Sequence, residues 1–75
     1  MTLADLKPNT PMAIRAAAPE DPRLQSKLYA LGLIPGATLS VLRFAPFGDP
    51  MQVRVGHALI SIRRMDAAAV VLQPA

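Results

Sequence analysis

A six-residue stretch, Leu31-Gly32-Leu33-Ile34-Pro35-Gly36, limits the folds open to this chain more than any other. A helical pattern precedes it and a strand-like alternation follows. Gly32 comes directly after the last helical apolar residue, where a left-handed conformation ends a helix without a Cβ penalty. Pro35-Gly36 then suits a type II turn, because proline fixes φ at the first central position and glycine supplies positive φ at the second. Helix, reversal and strand are compressed into a few residues. None of these residues is chemically reactive, so the stretch specifies architecture.

Size and composition narrow the remainder. Seventy-five residues make one domain, spanning 1–75, and a chain of that size buries only about 60% of its unfolded surface. There is no cysteine, hence no disulfide, no thiolate nucleophile and no sulfur ligand. One histidine, His57, and five carboxylates are poor material for a self-sufficient metal site or a hydrolase. Hydrophobic residues make up 52% of the chain, but in short runs well below the ~18 consecutive residues of a membrane span. The start, Met1-Thr2-Leu3-Ala4-Asp5, lacks the basic region and apolar run of a signal peptide. These features lead us to expect a soluble cytoplasmic protein with an apolar surface. The net charge is +3, but only Arg63 and Arg64 adjoin, and the aromatics are limited to Tyr29, Phe44 and Phe47. Nucleic-acid binding wants a clustered basic patch with stacking aromatics. Scattered arginines on the outer face of a small barrel fit better, and a basic surface also suits the anionic inner face of a membrane.

Along the chain, Thr2 to Asp5 reads as a capping box opening a short turn that ends before Pro8. Met12 to Ala16 forms a first strand, and Ala17 to Glu20 a loop. Asp21-Pro22 signals a helix start, with Asp21 as N-cap and Pro22 at the first helical position. Leu24, Leu28 and Leu31 then fall on one helical face, which packs over a barrel end, offers itself to a partner, or both. Thr38 to Phe44 alternates, with Leu39, Val41 and Arg43 on one side and Ser40, Leu42 and Phe44 on the other. Met51, Val53 and Val55 point inward from the next strand. Ala45 to Pro50 is a wide hairpin loop, and Gly56-His57 a tight hairpin. Ala58 to Arg63 is a fourth strand with Ile60 and Ile62 inward. Arg64 to Ala69 is a single helical turn, and Val70 to Leu72 a last strand. Five short strands and one short helix give an all-β fold, a small SH3-like barrel closed so that few sheet edges stay exposed.

The run Lys27-Leu28-Tyr29-Ala30-Leu31-Gly32-Leu33-Ile34-Pro35-Gly36, the later Ala45-Pro46-Phe47-Gly48-Asp49-Pro50, and Ile60-Ser61-Ile62-Arg63 before Asp66-Ala67 resemble, in this order, the FeoA family. The opening Leu3-Ala4-Asp5-Leu6-Lys7-Pro8 is similar to that family's start, so the likeness covers nearly the whole chain. It implies an SH3-like fold and a non-enzymatic role in bacterial ferrous iron transport, beside the FeoB membrane GTPase-permease. The family is also associated with transition-metal binding, and similar domains end metal-dependent repressors. A free-standing accessory domain of that kind, with weak metal or nucleic-acid contacts, is the alternative function. Two positions depart from the family pattern. Asn9 replaces a common glycine, and Gly56-His57 shifts a hairpin glycine by one residue.

Few residues are candidates for chemistry. His57 has no companion at ligand spacing, whereas a tight Fe(II) or Zn(II) site needs three or four ligands. Asp49 is expected to cap its own turn. No nucleophile, base and orienting group form a set, so neither catalytic nor cofactor-binding residues are expected, and no small-molecule substrate. The surface is more informative. Tyr29 on the helix, Ile34 in the following turn and Phe47 on the hairpin loop are large apolar residues that a small interior leaves outside. Folding of Phe47 inward over the barrel mouth is equally compatible with the sequence. Arg23 and Lys27 lie one helical turn apart and could meet an acidic GTPase surface or anionic lipid heads. Arg23, Lys27, Tyr29, Ile34 and Phe47 are therefore the expected partner-binding residues, and homo-oligomerisation stays open.

Overall fold

The computed structural model describes all residues from Met1 to Ala75. A 3-10 turn, Leu3–Asp5, is followed by β1 (Met12–Ala17), α1 (Pro22–Ala30), β2 (Thr38–Phe44), β3 (Met51–Val55), β4 (Ala58–Ile62), α2 (Arg64–Ala67) and β5 (Val70–Pro74). The strands form one antiparallel sheet in the order β4-β3-β2-β1-β5. Its curved inner face and α1 enclose a core of sixteen buried residues, all of them apolar. All five strands of the SH3-like reading are present. The sheet does not close by hydrogen bonding, however: β4 and β5 are its two ends.

The reversal after α1 takes the form its residues dictate. Gly32 has φ +92°. Its N–H donates to Tyr29 O at 2.9 Å, and the Leu33 N–H donates to Leu28 O at 3.0 Å. These two bonds define a Schellman motif, and its hydrophobic contact is present, because Leu28 and Leu33 are both fully buried. Burying each of those leucines contributes roughly 1.5–3 kcal/mol. Ala37 N–H then donates to Ile34 O at 3.1 Å around Pro35-Gly36, with Gly36 at φ +89°, closing the type II turn. At its other end α1 starts as its sequence asks: Asp21 Oδ1 accepts from Leu24 N–H at 3.1 Å. Of the leucine face only Leu28 is fully buried, with Leu24 and Leu31 half-buried against the core.

Two departures from simple alternation matter. The β2–β3 register shifts between Val41 and Arg43, so Leu42 is a bulged residue. Phe44 thereby pairs with the buried Met51 and packs against the core, on the same side as Leu39 and Val41 and not opposite them. The second concerns Ala18, which has φ +44° and is buried. An L-residue there costs about 1–2 kcal/mol. The Ala18 N–H bond to Ala69 O (2.9 Å) and the Asp21 N–H bond to Ala18 O (3.1 Å) hold it in place. Asn9, which also has positive φ (65°), shows why asparagine stands in for glycine there. Gly56 is positive (φ 57°) while His57 is not, the pattern of a type II′ hairpin.

A Cβ at Gly32 would meet only Val55 Cγ1, at an ordinary 3.7 Å. Backbone strain, and not a clash, should therefore set the cost of substitution. Gly32→Ala should lower the unfolding free energy by about 1–2 kcal/mol and Gly32→Val by more, with Gly32→Asn intermediate between glycine and alanine. Denaturant titrations with unchanged m-values would measure this. Equal losses for alanine and asparagine would contradict it.

Candidate functional site

The β2–β3 loop, Ala45 to Pro50, is the best-built feature of the surface. Gly48 N–H donates to Ala45 O at 2.7 Å, and Ala45 N–H to Pro50 O at 3.0 Å. Asp49 does not cap its own turn. Its Oδ1 accepts from the Arg64 N–H at 3.0 Å, so it caps α2 across space. Arg64 answers from the other side. Its Nε donates to Gly48 O at 2.7 Å and its Nη1 to Ala4 O at 3.1 Å. Its guanidinium lies 4.7 Å from the Phe44 ring centroid, within cation–π range. One arginine thus ties together the N-terminal turn, the end of β2, the loop and α2. In the sequence it reads only as one of the outer-face arginines.

This pinned loop carries Phe47, whose side chain is 100% exposed. The inward-folded alternative is therefore not what the structure adopts. Tyr29 and Ile34 are also exposed, at 40% and 45%. They lie at the end of α1 and in the turn after it, whereas Phe47 lies beyond the opposite end of β2. Arg23 and Lys27 project from α1. Lys27 is paired, its Nζ lying 3.0 Å from Asp66 Oδ2, and this is the single ion pair of the chain. Exposed as it is, the pair contributes at most about 1 kcal/mol, but it fixes Lys27 toward α2. Arg23 has no acidic partner. The five expected residues thus form two groups, one along α1 and its turn, the other at the β2–β3 loop. Leu59 and Met65 are more exposed than Tyr29, at 64% and 76%. Strict alternation places Leu59 outward, and nothing in the sequence marks Met65.

No three His, Cys, Asp or Glu side chains come together anywhere in the fold, and His57 stands exposed at the β3–β4 turn. Every carboxylate except Glu20 is engaged in local structure, Asp5 by accepting from the Thr2 N–H and hydroxyl at 3.4 and 3.2 Å.

Two outcomes follow. Arg64→Ala should destabilise the chain by about 1–2 kcal/mol, given its hydrogen bonds and its ring contact. Arg64→Lys should recover only part, because an ammonium cannot hold the fork and the stack together; full recovery would reduce Arg64 to a point charge. Calorimetric titration of the monomer with Fe(II) or Zn(II) should show no stoichiometric site, and a site lost in His57→Ala would contradict that expectation.

Residues 1–74 match the FeoA domain. Solved structures agree with this. The chain is similar to the FeoA protein of Chlorobium tepidum, at 36% identity and TM-score 0.88, over 99% of this chain and 70% of that one. It is similar to iron(II) transport protein A of Clostridium thermocellum, at 28% identity and TM-score 0.89, over 99% of this chain but only 45% of that one. The FeoA of Stenotrophomonas maltophilia, solved with zinc and described as an SH3 domain protein, matches at 25% identity and TM-score 0.83, over 97% and 89% of the two chains. A manganese-dependent transcriptional repressor superposes at TM-score 0.87 with 16% identity, a likeness of fold alone. From the first residue to the seventy-fourth, this chain belongs to the FeoA family.

Proposed function

We propose that this chain is a non-enzymatic, cytoplasmic accessory protein of ferrous iron transport that binds and regulates an FeoB-type membrane GTPase-permease. Family membership supports the transport role, and the Stenotrophomonas relative carries a suggested role as a ferrous iron transport activating factor. The observation that carries the binding role is Phe47. A fully exposed aromatic on a loop fixed by Asp49 and Arg64 is a preformed anchor, and it loses little conformational entropy when a partner covers it. Tyr29 and Ile34 offer a second apolar contact, and Arg23 and Lys27 a basic margin. A partner that meets both groups must extend along β2. The alternative, a repressor-type accessory domain, has only the shared fold in its favour.

Titration of the chain with the transporter's purified cytoplasmic domain tests this. Phe47→Ala should weaken binding by roughly tenfold to a hundredfold, the equivalent of one buried aromatic side chain, without a change in fold. Tyr29→Ala should weaken it too. Arg23→Glu is the cleaner charge probe, because Lys27→Glu also breaks the contact with Asp66. It should chiefly slow association, with an effect that shrinks at high salt. Parent-like binding by all these variants would place the interface elsewhere.

A further inference from the structure

The two ends of the sheet are guarded very differently. The outer edge of β5 is covered by the chain's own N-terminus: Leu72 N–H donates to Met1 O at 2.9 Å, and Thr2 bridges to Val71. Its last residue is Pro74. β4 has none of the usual protections. Its sequence, Ala-Leu-Ile-Ser-Ile, contains no charge and no proline, and its register with β3 runs unbroken from Met51↔Ile62 to Val55↔Ala58. Sheet edges normally carry a charge, a proline, a bulge or a cover.

The register also shows which backbone groups are free. A two-residue hairpin makes Val55 and Ala58 a hydrogen-bonded pair, so alternation bonds Val53 with Ile60 and Met51 with Ile62. The Gly56 N–H bond to Thr38 O fixes the complementary phase on the β2 side of β3. The N–H and C=O groups of Leu59 and Ser61 therefore point away from the sheet, and no turn or loop bond uses them. On the outer face beside this edge, Leu59 lies opposite Arg54, and Ser61 opposite Gln52, which accepts from Arg43 Nε at 2.6 Å. Arg63 follows directly and adjoins the edge, and Arg54 lies one strand in, while four of the five carboxylates are committed elsewhere and Glu20 lies on the loop before α1.

We infer that the free edge of β4 accepts an added strand from a partner protein, an extended segment in which acidic residues alternate with apolar ones. Backbone bonds to Leu59 and Ser61 would supply affinity, and Arg54 and Arg63 the preference for acidic side chains. A second copy of this chain fits less well. Pairing two β4 edges about Ile60 would set each Arg63 beside the other copy's His57 and bring the arginine-bearing faces together. The inference does not depend on what Phe47 meets.

Amide hydrogen exchange by NMR tests it, with two blocked peptides as probes: one alternating glutamate with valine, the other lysine with valine. In the free protein, Leu59 and Ser61 should exchange fast and Ile60 slowly. Saturating glutamate peptide should slow Leu59 and Ser61 by about tenfold or more, and the lysine peptide should not. Leu59→Pro should abolish the slowing, since that N–H serves no bond within the sheet and edge positions tolerate proline. Should that variant fail to fold, the double variant Arg54→Glu, Arg63→Glu decides, and must reverse the peptide preference. Slowing that persists in Leu59→Pro, equal response to both peptides, or protection that grows with protein concentration alone would overturn the inference.

Discussion

Ile14 is bonded through both its backbone groups by the reversal that follows α1. Its N–H donates to Ala37 O, and its C=O accepts from Gly36 N–H, each at 2.8 Å. β1 and β2 pair directly only through Met12 and Ala13, so these two bonds extend a short ladder across the turn. They fix where α1 stops, where β2 starts and how both meet β1. β1 in turn carries β5 on its other side. The buried Leu28, Leu33 and Ile14 meet at this junction. The packing of the small core therefore depends on a left-handed Gly32 and a type II turn at Pro35-Gly36.

These were the parts that sequence made legible, because each rests on local chemistry. Glycine and proline positions gave the reversal, Asp21-Pro22 the start of α1, and apolar alternation the inward residues of β3 and β4. What stayed hidden was nonlocal. The Leu42 bulge turns Phe44 toward the core, yet its cause is the pairing with Met51 across the β2–β3 hairpin. Ala18 adopts a left-handed conformation with no glycine or asparagine to announce it, because contacts with Ala69 and Asp21 impose it. Asp49 looked like a residue serving its own turn, and Arg64 like a solvated charge. Their roles exist only because the fold brings residues fifteen positions apart within 3.0 Å. For the candidate site, exposure of Tyr29 and Ile34 followed from composition and placement, whereas that of Phe47 needed the structure, because inward folding over the barrel mouth fits the sequence equally well. Their division into two groups, and the pairing of Lys27 with Asp66, needed the topology.

The physical character of the molecule lies in its surface features. Its interior is wholly apolar and its ionisable groups lie outside the buried core, with four of the five carboxylates and Arg64 engaged in caps, staples and one ion pair. What the chain offers a partner is shape: an aromatic on a fixed loop, an apolar corner after α1, and a bare strand edge adjoined by Arg63. Such features act by binding, which agrees with an accessory role in transport.

The claim that Phe47 is presented by a preformed loop is tested most directly by backbone ¹⁵N relaxation in the free protein. Order parameters at Phe47 and Gly48 should match those of β3, about 0.85, and fall toward the flexible range in Arg64→Ala. Values below about 0.6 at these two residues in the parent chain would contradict it, since the aromatic would then be a loose side chain on a mobile loop and not an anchor held ready by Asp49 and Arg64.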